Sequence, residues 1–295
     1  VISREHRSFA AFAMLAGSLA FVVATAACAT STADPFDPGA PIDTGDGGAF
    51  ASEAGTKPDP SAGGEVFGHS ESALYRVDTT SRVVEEVGVF QGCTYVADIA
   101  LDEASNIYAS TGSELFYVET NTARCTRIAA GTFPNSLSFV PAGTVEPGAE
   151  ALVGYQGGDY VKIDRGTGAV TKIGSIGEGL QSSGDVVSAK GGKTFVTVKG
   201  KQAGTTVECA DCLAEIDPAT GALVKNWGSL GAADVFGLAF WAGELYAFTN
   251  AGKLLLVTLD TGAPVTKDVP IANAPAGLKF WGAGSTTSAP TAPVR

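Results

Sequence analysis

From residue 66 onward, short apolar runs of four to six residues alternate with Gly, Thr, Ser, Asn and Asp turns, a spacing that predicts β-hairpins. One unit recurs: an apolar strand ending in a carboxylate, a turn, then a second β-branched run. Its copies end at Asp78, Glu119, Asp164, Asp217 and Asp260, roughly 41 to 53 residues apart, the period of a propeller blade. A further apolar strand pair precedes each copy, as in Asp98–Leu101 with Ile107–Ser110 and Gly237–Phe240 with Leu245–Phe248. Each unit therefore predicts four antiparallel strands.

Complete units begin near residues 98, 136, 185 and 237. The strands Val66–His69, Ala73–Asp78 and Val83–Val89 stand alone at the start, and Gly277–Phe280 stands alone at the end. Three strands and one strand make a fifth blade and close a ring, which removes the exposed edges an open sheet would carry. The fold expected is all-β, a five-bladed propeller over residues 65–282, with a disordered tail over 283–295.

Before this domain, residues 1–27 read as an export signal: Arg4 and Arg7, then an apolar stretch to Ala24, then small residues before Cys28. An uncleaved anchor and cleavage without lipid are the competing readings of this stretch. Residues 28–64 are rich in Gly, Pro, Asp and Ser and predict a tether that cannot bury enough apolar surface to order itself.

The formal net charge of −12 argues against nucleic acid and against anionic bilayers, since no Lys/Arg cluster offsets it. Any membrane contact is expected through a lipid on Cys28 alone. Cys93, Cys125, Cys209 and Cys212 form an even set in an exported chain, which predicts two disulfides. Cys209-Ala210-Asp211-Cys212 would pin the base of a long loop, Lys199–Asp211. Whether Cys93 and Cys125 approach closely enough depends on the blade layout.

The repeating carboxylates fit a turn role, because an Asp side chain accepts amides two residues on. Residues that break the repeat are better candidates for function. Asp98 and Asp185 sit where inner strands start, alongside Ser136, Gly237 and Gly277 at equivalent positions. They could place two carboxylates at one mouth of the channel, for a cation or an acid/base pair, or else cap backbone amides. His69, the only histidine after the signal, aligns with Ser110, Tyr155, Val198 and Phe248 at second-strand ends. A lone histidine excludes His-rich metal sites and bis-histidine haem. Asp98, Asp185, His69 and Tyr155 make up the candidate ligand face, with no catalytic residue, metal or cofactor assigned.

Asp217-Pro218-Ala219-Thr220-Gly221-Ala222 and Asp164-Arg165-Gly166-Thr167-Gly168-Ala169 resemble the strand-Asp-turn pattern of secreted bacterial propeller repeats, and Ala27-Cys28 resembles a lipoprotein-type signal. The resemblance implies an exported module, lipid-anchored at the cell envelope, that binds a protein or glycan on one propeller face. The alternative is a lactonase-like or glycan-cleaving hydrolase with carboxylates at the channel mouth. A third reading, a carbohydrate-binding surface protein, needs exposed aromatics, for which Tyr95, Tyr155 and Phe236 are the candidates.

Overall fold

A computed structural model describes residues 65–259 and 262–292. The expected signal, Cys28, the tether and Asp260 lie outside the described residues. The first three strands are β1 (Val66–His69), β2 (Ala73–Val77) and β3 (Val84–Val89). Next come β4 (Asp98–Leu101), β5 (Ile107–Ser110), β6 (Glu114–Val118) and β7 (Cys125–Ala130). The second full unit holds β8 (Leu137–Val140), β9 (Ala151–Gln156), β10 (Asp159–Ile163) and β11 (Val170–Ser175). The third holds β12 (Gln181–Ser188), β13 (Thr194–Lys201), β14 (Glu208–Ile216) and β15 (Leu223–Ser229). The fourth holds β16 (Val235–Trp241), β17 (Glu244–Thr249), β18 (Leu254–Thr258) and β19 (Val265–Val269), and β20 (Gly282–Ser285) ends the series.

These strands form five antiparallel sheets of four, four of them consecutive in sequence and the fifth ordered β20-β1-β2-β3. The inner strands β4, β8, β12, β16 and β20 touch in turn around a common axis, and β20 touches β4 to close the circle. The chain is a five-bladed β-propeller, closed by one C-terminal and three N-terminal strands.

Burial follows this geometry. The inner strands β4, β8 and β20 are buried at every position, whereas the outer strand β11 is exposed or half-buried throughout. An inner strand lies between two neighbouring blades and has no solvent face, so its sequence does not alternate. The core accordingly sits between blades. Phe67, Phe90, Ile99 and Phe116 share one such layer, and Tyr155, Tyr160, Val196 and Ala214 another.

Three of the repeating carboxylates are turn-formers, while among the described residues the Glu119 carboxylate accepts only the Thr122 hydroxyl. Asp78 Oδ1 accepts the Thr80 and Ser81 amides at 2.9 and 2.6 Å, and Asp164 Oδ1 accepts those of Gly166 and Thr167 at 3.0 and 2.7 Å. Asp217 Oδ1 repeats the pattern with Ala219 and Thr220 at 2.8 and 3.1 Å. These bonds hold the Asp78 and Asp164 carboxyls below the usual range. In the third blade the turn ends on Gly221, at φ 68°, where a Cβ would overlap the Tyr160 ring of the second blade.

Two expectations are corrected. The closing strand is Gly282–Ser285, not Gly277–Phe280. Gly277 has φ 71° and Leu278 donates to the Pro275 carbonyl, so this stretch is a turn whose Phe280 side chain is wholly buried against Tyr75 and Phe248. The expected tail from 283 thus begins inside the last strand. Beyond β20, Thr286, Thr287 and Ala289 are buried, and this segment crosses the end of the ring opposite the inner-strand starts. The Thr287 carbonyl accepts the Lys190 amide, the Pro290 carbonyl accepts that of Gly243, and the Ser288 hydroxyl donates to the Glu103 carbonyl. With the Thr287 hydroxyl donating to Glu150, this strap ties the four full blades.

Both disulfides form, Cys93–Cys125 with Cα atoms 5.7 Å apart and Cys209–Cys212 with 5.3 Å. The first links the loop entering a blade to that blade's outer strand. Its sequence separation of 32 closes a much larger loop than the separation of 3 in the second. On the chain-entropy relation, removing the first costs about 3–4 kcal/mol and the second roughly 2 kcal/mol. Urea unfolding of the Cys93→Ser/Cys125→Ser and Cys209→Ser/Cys212→Ser double variants should therefore rank the first as the more destabilised, and the reverse order would contradict it.

Candidate functional site

The innermost strand of each blade is a sheet edge, so the amides it turns toward the axis lack ladder partners. Two aspartates answer that need. Asp98, opening β4, accepts the Ile99 amide on Oδ1 at 2.9 Å and the Leu137 amide of the next blade on Oδ2 at 2.6 Å. Asp185, in β12, accepts the Val186 amide on Oδ1 at 2.6 Å and the Leu238 amide of the following blade on Oδ2 at 2.7 Å. It also accepts the Ala283 amide from β20. Each carboxyl thus joins its own strand to a neighbour, and together they reach all five inner strands.

Both aspartates have no exposed surface, and their carboxyl groups are close electrostatic neighbours. Burial raises both well above the ordinary carboxyl range; the Asp185 charge adds to the rise at Asp98, while the amides at both sites oppose it. His69, at the end of β1, is equally buried, with Nδ1 at 2.8 Å from the Ser70 carbonyl and Nε2 at 3.8 Å from Asp98 Oδ1. Burial lowers the His69 imidazole to about 4. Gly282 lies opposite His69 across the β1–β20 ladder, and a Cβ there would collide with both His69 Nε2 and Asp98 Oδ1.

Three of the four candidate face residues therefore meet, at the hub. Tyr155 does not join them. Its hydroxyl donates to the Gly221 carbonyl at 2.6 Å, while that of Tyr160 donates to the Pro218 carbonyl at 2.9 Å, so the pair pins the second blade to the third. All four side chains are fully buried, and none presents a surface to a ligand as expected. The alignment of His69 with Val198 also shifts by one: Asp185 stands beside Thr197, whose hydroxyl accepts the Asp185 amide at 3.0 Å. Among the described residues, no group of three or more His, Cys, Asp and Glu side chains has metal-holding geometry.

Accessible features lie farther out. The expected long loop Lys199–Asp211 is mostly an extension of β13 and β14, closed by a turn in which Gln202 donates its amide to the Val207 carbonyl at 3.0 Å. The Cys209–Cys212 disulfide spans a register break, since Val198 pairs with Cys212 but Gly200 with Cys209. This bulge turns Asp211 inward, where Oδ2 accepts the Asp234 amide of the fourth blade at 2.9 Å. Sequence reasoning missed Asp211 as a clamp; its position between two bonded cysteines was the available signal.

The loop carrying Cys93 has a different character. Phe90 donates its amide to the Ser72 carbonyl at 2.8 Å and Val96 donates to that of Glu71 at 3.2 Å, so both ends are fixed. Between them Tyr95 is 71% exposed at φ 55°. With Val89, 60% exposed, it borders a cleft of about 260 Å³ floored by Phe90 and Cys93. Phe236 is half-buried. A second cleft of about 460 Å³ lies between the first two blades, but its two buried acidic groups are engaged: Asp102 accepts the Ala104 and Asn106 amides, and Glu150 accepts the Glu103 amide and the Thr287 hydroxyl.

No family model and no curated protein sequence matches the chain. Among solved structures, a chain of a nidogen/laminin complex is similar at 10% identity, over 73% of this chain and 77% of that one, with a TM-score of 0.46. A protein of unknown function from Bacteroides caccae is similar at 14% identity, over 74% and 77%, with a TM-score of 0.38. Virginiamycin B lyase from Staphylococcus aureus is similar at 11% identity, over 70% and 66%, again at 0.38. At these identities and scores no activity, ligand or partner follows for this chain.

The hub geometry makes Asp185 the more demanding of the two aspartates. Asp185→Ala strands the amides of Val186, Leu238 and Ala283, and at about 1–3 kcal/mol for each buried unsatisfied group the loss should exceed ~3 kcal/mol. A urea midpoint shift corresponding to less than about 1 kcal/mol would show that these amides have other acceptors.

Proposed function

We propose that this propeller is an exported binding or scaffold module, held at the cell envelope by a lipid on Cys28, that meets a protein or glycan partner through its periphery. The observation that carries this reading is the state of Asp98 and Asp185: both are buried and occupied by backbone amides. A hydrolase with carboxylates at the channel mouth needs those groups free and reachable, so that alternative loses its chemistry. Two disulfides support an oxidising compartment. The net charge of −12 disfavours a nucleic-acid partner.

The Tyr95 loop and the Gln202–Val207 turn are the contact elements this reading favours. Tyr95 is an exposed aromatic on a loop fixed by a disulfide and by the Ser72 and Glu71 carbonyls, so little ordering entropy is lost when it is covered. Binding to glycan arrays and to envelope-protein extracts should weaken about 30-fold for Tyr95→Ser, a loss of about 2 kcal/mol for a central aromatic contact. Unchanged binding by Tyr95→Ser and by a variant lacking 202–207 would move the contact surface elsewhere.

The anchor is tested separately. Metabolic palmitate labelling should be present in the full chain and absent in Cys28→Ser. Labelling that persists in the variant refutes the assignment of the lipid to Cys28.

A further inference from the structure

Asp98, Asp185 and His69 form a closed titratable cluster whose proton count the packing dictates. Asp98 comes from β4, Asp185 from β12 and His69 from β1. Among the described residues, the other elements around them contribute no titratable group: Ser136 precedes β8 and accepts the Tyr155 amide, Thr197 on β13 accepts the Asp185 amide, and β16 and β20 bring Gly237, Gly282 and Ala283. Among the described residues, the buried charged positions include no lysine or arginine that could neutralise the pair.

Two neighbouring carboxyl groups with no exposed surface and no buried cation beside them hold one proton between them, because a second negative charge there would be neither solvated nor paired. Asp185, with three amides, is the better acceptor; Asp98, with two, is the better site for the proton. On the His69 ring, Nδ1 bears a hydrogen directed at the Ser70 carbonyl. Its Nε2 is buried with no hydrogen-bond partner, and at 3.8 Å Asp98 Oδ1 is beyond hydrogen-bonding reach. A second hydrogen on that ring would be an unsatisfied buried cation, so the folded imidazole is neutral.

We infer that folding moves one proton within this cluster: the His69 imidazolium of the unfolded chain gives up its proton, and the Asp98–Asp185 pair takes one up. This inference is independent of the binding role proposed above. Between about pH 4 and 6.5 the unfolded cluster carries one proton on histidine, and the folded cluster carries one on the pair. The counts match, so within this window the cluster adds no pH dependence. Above 6.5 the unfolded histidine is neutral while the folded pair keeps its proton. Stability is then lost as pH rises, tenfold in the folding equilibrium constant per pH unit, until the pair ionises.

Each half of the exchange has its own variant. Asp98→Asn supplies a permanent N–H donor in place of the acid proton. The ratio of its folding constant to that of the native chain, from urea titrations, should rise tenfold per pH unit from about pH 4 upward. His69→Gln removes the cationic unfolded form. Its ratio should be flat above 6.5 and rise tenfold per unit as pH falls from 6.5 toward 4. A pH-independent ratio for Asp98→Asn would mean that Asp98 is ionised in the fold and would overturn the inference; a flat ratio for His69→Gln would mean a protonated folded imidazole and do the same. Should either variant fail to fold, infrared spectroscopy of the native chain near pH 7 decides. A protonated-carboxyl stretching band that disappears on unfolding supports the shared proton, and its absence from the folded chain rules it out.

Discussion

Everything in this molecule depends on how the five innermost strands satisfy their channel-facing amides. A four-stranded blade ends, toward the axis, in an edge whose backbone groups have no further strand to pair with. Water could serve in a wide channel. In this ring β4, β8 and β20 are buried at every position, and acceptors for their axial amides must come from the protein. Asp98 and Asp185 supply them, and by accepting one amide from their own strand and others from neighbouring strands they tie the blades together. The same crowding explains the composition of β20, Gly-Ala-Gly-Ser. A Cβ at 282 would meet His69 and Asp98, and one at 284 would meet Leu101.

A hub occupied in this way keeps its carboxyl groups from any ligand outside the fold. In a wider ring the axis leaves room for a ligand, and carboxylates at strand starts can face it. In this one the strand-start carboxylates are spent on backbone groups, while the strap beyond β20 covers the opposite end. What remains accessible are loops set on a rigid disc, where binding residues are ordinarily placed. Of these, the loop with Tyr95 joins exposed apolar area to a fixed backbone, and the β13–β14 extension projects farthest from its blade's common pattern.

The fold was largely legible because its cause is periodic. Each blade needs the same hairpin, and Asp78, Asp164 and Asp217 recur as turn-formers at a spacing that counts the blades. The closing blade was legible as leftover strands. Its last strand was not, because apolar pattern marks burial and not pairing: Leu278 and Phe280 look like a strand but fill the interblade core from a turn, while the true strand is small and nearly featureless. Likewise Lys199–Asp211 reads as a loop because Gly200, Gly204 and two threonines interrupt its apolar pattern, yet its ends pair as strands. At the site, the position of Asp98 and Asp185 at the hub was readable from the repeat. Their inaccessibility was not, since it depends on the radius of the ring.

The burial of ionisable groups at the hub also bears on why the fold tolerates them. Two aspartates and a histidine in one buried space would be costly if each kept its usual charge, because among the described residues no buried cation compensates them. The arrangement lowers that cost to a single negative charge, shared by the neighbouring pair and met by five amides from all five inner strands. An apolar replacement would avoid the charge but leave those amides unpaired. The carboxyl pair is therefore the smaller of two penalties, and its position follows from the backbone it must satisfy.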